Sequence, residues 1–212
     1  MASLRHQAHQ EFSSWADTYD KSILQFLLFD PSHKLILREL GDAGEAHILD
    51  IGCGTGKLAH RLITHHRDAR VFGIDLSESM IQAAQHHVAN ETRIHLSVAD
   101  SEHLPFETNT FDYITCSNSF HHYPDRPAAL REMHRVLKPG GRLFLTDGYR
   151  DNWFGWVIYD VFVTRFEGGE VYHASAEEFF RIFVDTGFDD VRQHIVRFLA
   201  PFVLTSGRAR KE

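Results

Sequence analysis

Apolar positions along the chain change period several times, and the changes mark its elements. Phe12, Trp15, Ala16 and Tyr19 fall at three- and four-residue intervals, which predicts a helix over 5–20. A second stripe, Ile23, Leu24, Phe26, Leu27 and Phe29, breaks at Asp30-Pro31, resumes at Leu35, Ile36 and Leu37, and ends at Gly41-Asp42-Ala43-Gly44. From residue 47 short apolar runs alternate with amphipathic ones. The pattern predicts strands over 47–51, 70–75, 94–99, 112–116 and 142–147, with helices over 57–66, 78–90 and 126–137. Ser77 is placed to cap the helix carrying Met80, Ile81 and Ala84. Between the third and fourth strands there is room only for a turn. Such alternation implies parallel strands with right-handed crossovers.

The C-terminal third reads differently. Residues 151–166 are apolar nearly all round at helical period, and Gly168-Gly169 stops them. Ser175-Ala176-Glu177-Glu178 is a capping box opening a helix with Phe179, Phe180, Ile182 and Phe183. Val191–Phe198 and Phe202–Ser206 read as two closing strands.

The run His47-Ile48-Leu49-Asp50-Ile51-Gly52-Cys53-Gly54-Thr55-Gly56-Lys57 is a strand that ends in an acid, then a glycine-rich turn, then a helix start. Glycines let a backbone approach a ligand, and the following helix offers free N–H groups. A dinucleotide fingerprint needs a third glycine one residue later, where Lys57 stands. A phosphate loop needs Ser or Thr after the lysine, and Leu58 is there. Asp50 would repel a pyrophosphate and suits a cationic ligand such as the ammonium of an amino acid. A second strand ends at Asp75, about 20 residues past the glycines, where a ribose-binding acid is expected. A third ends at Asp100.

These motifs, with Leu104-Pro105-Phe106 and Val136-Leu137-Lys138-Pro139-Gly140-Gly141, resemble the class I S-adenosylmethionine-dependent methyltransferases. The likeness is greatest to the small-molecule branch known as type 11, which includes the ubiquinone and menaquinone biosynthesis enzymes. It covers residues 12–147 well. It implies an α/β, Rossmann-like, seven-stranded, mostly parallel sheet with an antiparallel C-terminal strand, helices on both faces and an N-terminal helical cap. The implied layout is one domain: cap or lid over 1–44, donor-binding core over 45–147, acceptor-side segment over 148–174, closing helix and strands over 175–212.

The resemblance also implies site roles. Gly52, Gly54 and Gly56 approach the methionine part of S-adenosylmethionine, and Asp50 favours its ammonium. Asp75 accepts from the ribose hydroxyls. Leu76 and Met80 pack on the adenine, which Asp100 and Ser101 read. Ser117 and Asn118 line the sulfonium. Phe12-Ser13-Ser14-Trp15-Ala16-Asp17-Thr18-Tyr19-Asp20 resembles the family's lid, with Tyr19 reaching toward the donor. His121 and His122 stand where the family often carries paired histidines. They are candidates for a general base, with Tyr19 beside them, though a positioned sulfonium needs no such group and packing before Pro124 is the alternative. Tyr149 and Arg150 are candidates to orient an acceptor's polar head, and Trp153, Trp156 and Phe162 to line its pocket. That segment reads equally as core, a subunit contact or a membrane-surface contact.

Composition narrows the classes. The 212 residues suit one domain. Net charge is −7, which argues against a nucleic-acid partner, as does Ser117-Asn118-Ser119-Phe120 where amino-group nucleic-acid enzymes carry Asn/Asp-Pro-Pro-Tyr/Phe. The two cysteines, Cys53 and Cys116, make neither a disulfide framework nor a zinc site, and a reducing cytoplasm is the simplest setting. No apolar run approaches the ~20 residues a spanning helix needs, and the polar N-terminus is no signal peptide. The 16 histidines show no His-Glu-x-x-His pattern, so no metal is expected. Two functions emerge: methyl transfer to a small apolar acceptor, as a monomer or homodimer, or a donor-binding, non-catalytic protein acting through a protein partner.

Overall fold

The computed structural model describes residues 23–149, 174–197 and 201–210. Among them a seven-stranded sheet organises everything else. Its strands are β1 (His47–Ile51), β2 (Arg70–Asp75), β3 (Ile94–Val98), β4 (Phe111–Ser117), β5 (Leu137–Gly148), β6 (Phe188–Val196) and β7 (Phe202–Ala209). The order across the sheet is β3-β2-β1-β4-β5-β7-β6. Neighbours from β3 to β5 pair in parallel, and β7 runs antiparallel to both β5 and β6. This is the expected mostly parallel sheet with its antiparallel strand.

The helices are α1 (Ile23–Leu40), α2 (Lys57–His65), α3 (Glu78–His87), α4 (Arg126–Val136) and α5 (Ala176–Asp185). Ser77 and Ser175 cap α3 and α5, the latter through the full capping box. Central strands are buried on both faces, so β1 is buried continuously over Ile48–Ile51, Asp50 included, rather than at alternate residues. Ile48, Val71 and Phe144 face Leu35 and Ile36 of α1 and Leu58, Leu62 and Ile63 of α2. Leu49, Ile74 and Val203 face Leu130 and Met133 of α4 and Phe179 and Phe183 of α5.

Several boundaries differ from the pattern reading: α3 stops three residues short of the expected end and β7 runs three residues past it, and three further differences have a visible cause or place in the sheet. The second apolar stripe is one helix, because Pro31 lies inside α1 without ending it. Proline removes one N–H and crowds the preceding turn. The Ser32 hydroxyl donates to the Phe29 carbonyl (2.9 Å), and Leu35, Ile36 and Leu40 bury against the sheet, so packing outweighs the local cost. β5 begins at Leu137, so the Lys-Pro-Gly-Gly run is a bulged strand start rather than a helix end. The Lys138 ammonium sits 2.8 Å from both Asp112 carboxylate oxygens. A Cβ on Gly141 would lie 2.9 Å from the Asp112 carbonyl, closer than a side chain tolerates. β6 begins at Phe188, three residues before the expected start.

No helix crosses between β3 and β4. Residues 99–110 cover that face as a loop, with Leu104 buried and Phe106 edge-on to Phe111 (4.9 Å between centroids). Two residues of α4 pin the loop. Arg135 donates to the Phe106 carbonyl (2.8 Å) and the Leu104 carbonyl (3.1 Å), and Glu132 accepts from the Leu104 N–H (2.8 Å) while pairing with Arg135. Arg135→Ala should therefore lower stability by about 1–2 kcal/mol, discounted for partial exposure of the pair. A denaturant midpoint that falls at unchanged slope checks this. An unaltered midpoint would mean that the loop holds without its pin.

Candidate functional site

The carboxyl ends of β3, β2, β1 and β4 open into one cleft, the crevice where such sheets bind ligands. Its walls include Asp50, Gly52, Gly54, Asp75, Leu76, Met80, Asp100, Ser101, Ser117, Asn118 and His122. Three acids at the ends of three adjacent strands, Asp100, Asp75 and Asp50, thus line one wall.

Asp75 is built into the glycine turn. One carboxylate oxygen accepts from the Gly54 N–H (2.9 Å) and the other from the Ser77 N–H (2.9 Å). Burial raises its pKa against these bonds, which lower it. Asp50 is buried, and one of its oxygens accepts from the Thr115 hydroxyl (2.8 Å). The other, Oδ2, has no hydrogen-bond partner. Burial lifts the Asp50 carboxyl to about 7; the Thr115 bond opposes the shift and the nearby Asp75 charge adds to it. An unpaired buried carboxylate oxygen on a cleft wall is suited to a cation.

Gly52 is fixed by its surroundings. Its φ is +68°, and an added Cβ would lie 2.4 Å from Ser119 Oγ. Behind it Ser119 and Tyr123, both half-buried, and the buried Cys116 form a polar cluster, with Ser119 Oγ 3.2 Å from Tyr123 Oη and 3.3 Å from Cys116 Sγ. Burial raises Tyr123 well above the usual phenol range and Cys116 to about 12, so both stay protonated. Cys53 is likewise raised, and both cysteines are free and buried.

At the β4 end, Asn118 has a φ of +52° and donates to Ser32 Oγ (2.9 Å) and Ser117 Oγ (3.0 Å). Ser117 also accepts from Thr146 (3.1 Å). These bonds fasten α1 over the cleft. His121 turns away from the cleft wall that His122 lines. Its Nδ1 lies 2.6 Å from Asp147, whose other oxygen accepts from the His121 N–H (2.8 Å). The two histidine rings are 4.1 Å apart. Gly56 shapes the start of α2 and Tyr149 is buried in the core, its hydroxyl without a partner. Tyr19, Arg150, Trp153, Trp156 and Phe162 lie outside the described residues.

Phe29, His33, Thr55, Glu102, Ser119 and Tyr123 also line the cleft, and sequence reasoning missed them. Asp147, the partner of His121, was missed too. A carboxylate ending the fifth strand, after three that end strands one to three, was the available signal. Among the described residues Asp100, Glu102 and His103 lie close enough together to suggest a cation, but nothing else there points to one.

Two outcomes follow. Gly52→Ala should cost about 2–4 kcal/mol, from left-handed backbone strain plus overpacking. Adding Ser119→Gly should recover part of that in thermal melts; full stability of the single variant would contradict the crowding. Asp50 gives a pH signature. Its folded pKa is raised, so the folded state holds a proton that the unfolded state has lost between the usual carboxylate range and pH 7, and stability falls across that window as pH rises. Asp50→Asn does not titrate. Its stability advantage over the parent, without ligand, should grow between pH 5 and 7 and level off above. A constant difference would place the Asp50 pKa elsewhere.

The chain is similar in sequence and fold to known proteins. Residues 48–141 match the family model described as a methyltransferase domain. A demethylmenaquinone methyltransferase of Staphylococcus aureus is 34% identical over 140 residues, which cover 65% of this chain and 58% of that one. The chain therefore spans little more than half the length of such relatives. Among solved structures, a putative methyltransferase of Haloferax volcanii, in complex with the Trm112 methyltransferase activator, superposes with a TM-score of 0.84 at 21% identity, covering 97% of this chain and 98% of that one. A SAM-dependent methyltransferase of Aquifex aeolicus gives a TM-score of 0.70 at 24% identity, covering 93% of this chain and 98% of that one. The matched domain, the strand order and the acid-led glycine turn together support a class I S-adenosylmethionine-dependent methyltransferase.

Proposed function

We propose that the protein transfers a methyl group from S-adenosylmethionine to a small, apolar acceptor. The row Asp100, Asp75 and Asp50 carries this reading, because it offers acceptors to three parts of one elongated, cationic ligand. Asp100 and Ser101 take the adenine edge, and Leu76, nearly half exposed without ligand, covers its face together with Met80. Each Asp75 oxygen keeps a lone pair for a ribose hydroxyl beside its backbone bond. Asp50 Oδ2 faces the ammonium. Gly52, Gly54 and Gly56 let the methionine part lie close, and Ser117 and Asn118 border the sulfonium.

The transfer is an in-line displacement. The acceptor atom bonds to the methyl carbon as the carbon–sulfur bond breaks, and the sulfonium becomes the neutral thioether of S-adenosylhomocysteine. Most of the rate comes from alignment and exclusion of water. An acceptor proton, where there is one, goes to solvent or to His122 on the cleft wall. His121, bonded to Asp147, steadies the turn that carries His122. From sequence alone, Tyr19 is assigned to the donor as a lid residue, and Arg150, Trp153, Trp156 and Phe162 to the acceptor, together with Tyr149, which is buried in the core. The Staphylococcus aureus relative, named for a demethylmenaquinone, favours a quinone-like acceptor. The layout of cap, core, acceptor segment and closing strands stands as proposed from sequence. Two buried free thiols favour a reducing cytoplasm, and among the described residues no helix is long and apolar enough to cross a membrane.

A second reading is favoured by one observation. The Haloferax volcanii structure that superposes over nearly the whole chain was solved with an activator protein. In that case turnover would need a protein partner while donor binding would not.

Calorimetry and a transfer assay separate these. Asp75→Ala should weaken S-adenosylmethionine binding at least tenfold, about 1.4 kcal/mol. Unchanged affinity in a folded variant would remove Asp75 from the site. Donor binding with turnover on isoprenoid hydroquinones supports the first reading. Donor binding without turnover across quinone, lipid and polyketide acceptors supports the second.

A further inference from the structure

The two edges of the sheet are built differently. The register of β6 with β7 shifts between Asp189 and Arg192, Asp190 takes a φ of +45°, and Arg192 pairs with Asp190 at 3.0 Å. Bulges and charges of this kind keep an edge strand from pairing with another chain. β3, at the opposite edge, has none of them. Ile94-His95-Leu96-Ser97-Val98 holds no proline, lysine, arginine or acid, and it runs beside β2 without a register shift. Among the described residues nothing pairs with its outer side.

Two bonds at its ends show which backbone groups face outward. The Val71 N–H donates to the Arg93 carbonyl (2.9 Å), and the Ala99 N–H donates to the Asp75 carbonyl (3.1 Å). In a parallel ladder every second residue turns both groups to the neighbour, so Arg93, His95, Ser97 and Ala99 face β2. Ile94, Leu96 and Val98 face out. The Ile94 N–H donates back to the Glu91 carbonyl (3.4 Å). That leaves the Ile94 carbonyl and both groups of Leu96 and Val98 turned to the open edge. The Val98 side chain is 50% exposed, more than any other large apolar residue among those described.

We propose that two copies of the chain pair antiparallel along β3, with Leu96 of each copy at the twofold axis, joining two seven-stranded sheets into one. A twofold contact needs a self-complementary surface, and β3 supplies it. Leu96 meets Leu96 in a hydrogen-bonded pair, and each Val98 N–H meets the Ile94 carbonyl of the other copy, four bonds in all. Alternate side chains share a face, so the exposed Val98 lands on Ile94 of the other copy and continues the apolar face to which Ile94 and Leu96 belong. On the other face His95 meets Ser97. No like charges fall opposite one another, and at each end Arg93 comes one residue from Asp100 of the other copy, an opposite charge. β3 leads directly into Ala99, Asp100 and Ser101 on the cleft wall, so the contact steadies that wall in both copies. It does not depend on what the cleft binds.

The test is sedimentation equilibrium of the full chain over a concentration series, without ligand. The parent should pass from the mass of one chain to the mass of two. Val98→Pro removes an outward N–H that the chain's own ladder does not use. It should weaken the dimer at least tenfold while the dilute protein melts near the parent's temperature. Register is read by oxidative cross-linking, for which Cys53 and Cys116 are too buried to interfere. His95 and Ser97 are exposed, and in this register they form a close pair, about 4.5 Å between Cα atoms. A mixture of His95→Cys and Ser97→Cys proteins should give a disulfide-linked dimer that neither variant gives alone. A parent that stays a single chain at its highest soluble concentration would overturn the proposal. So would a dimer that Val98→Pro leaves intact, or a mixture that links no better than either variant by itself.

Discussion

A carboxylate bonded to the backbone of a glycine turn is the contact on which the site's geometry depends. Asp75 ends β2 and accepts from the N–H of Gly54, in the turn that follows β1, and from Ser77, which opens α3. One side chain therefore joins two strand ends and a helix start. The Cys53 N–H, 2.9 Å from the Ile74 carbonyl, continues the β1–β2 pairing two residues past the end of β1. Opposite, Ser119 and Tyr123 close on Gly52 from the β4 side. The turn is gripped by both neighbours of β1, and its cleft-facing side stays open at Gly54, where a Cβ would meet nothing within 4 Å.

This arrangement sets up an electrostatic tension. Asp50 and Asp75 are buried near one another, and burying a charge costs several kcal/mol unless it is paired. Asp75 gets backbone N–H groups; Asp50 gets one hydroxyl and keeps one empty oxygen. Asp50 thus keeps an acceptor that the protein itself does not fill, which suits the cleft to a cationic ligand. That oxygen is one a stable core would not leave unsatisfied, and its residue lines the cleft.

Much of this was legible in the chain. Acids ending three strands, a glycine turn and a shifted third glycine were enough to place the cleft at the correct sheet edge, because strand ends in a parallel sheet all open on one side. Less legible were groups whose role depends on distant partners. Pro31 looked like a helix break because propensity is local, whereas α1 is held by burial against β4, β5 and β7. The Lys-Pro-Gly-Gly run looked like a helix end because its partner, Asp112, is 26 residues away. His33 sits in a stripe of apolar residues on α1 and carries no motif. Only packing of α1 beside α2 brings it to the cleft. Asp147 gave the same pattern as the other strand-ending acids, but its partner His121 could not be inferred from spacing.

The strand order has a kinetic consequence. β1 is central, yet its second neighbour is β4, and the bond from Thr115 to Asp50 spans 65 residues. Such non-local pairing pays loop-closure entropy before it gains contacts, and sheets of this kind fold slowly. Until β4 arrives, one edge of β1 is open and Asp50 has no hydroxyl to hold it. The unpaired edge of an apolar strand is an aggregation hazard in that interval. During synthesis the glycine turn leaves the ribosome long before the strand that completes it, so this chain must protect β1 for the time needed to make another 60 or so residues, roughly 3–12 seconds at ordinary elongation rates.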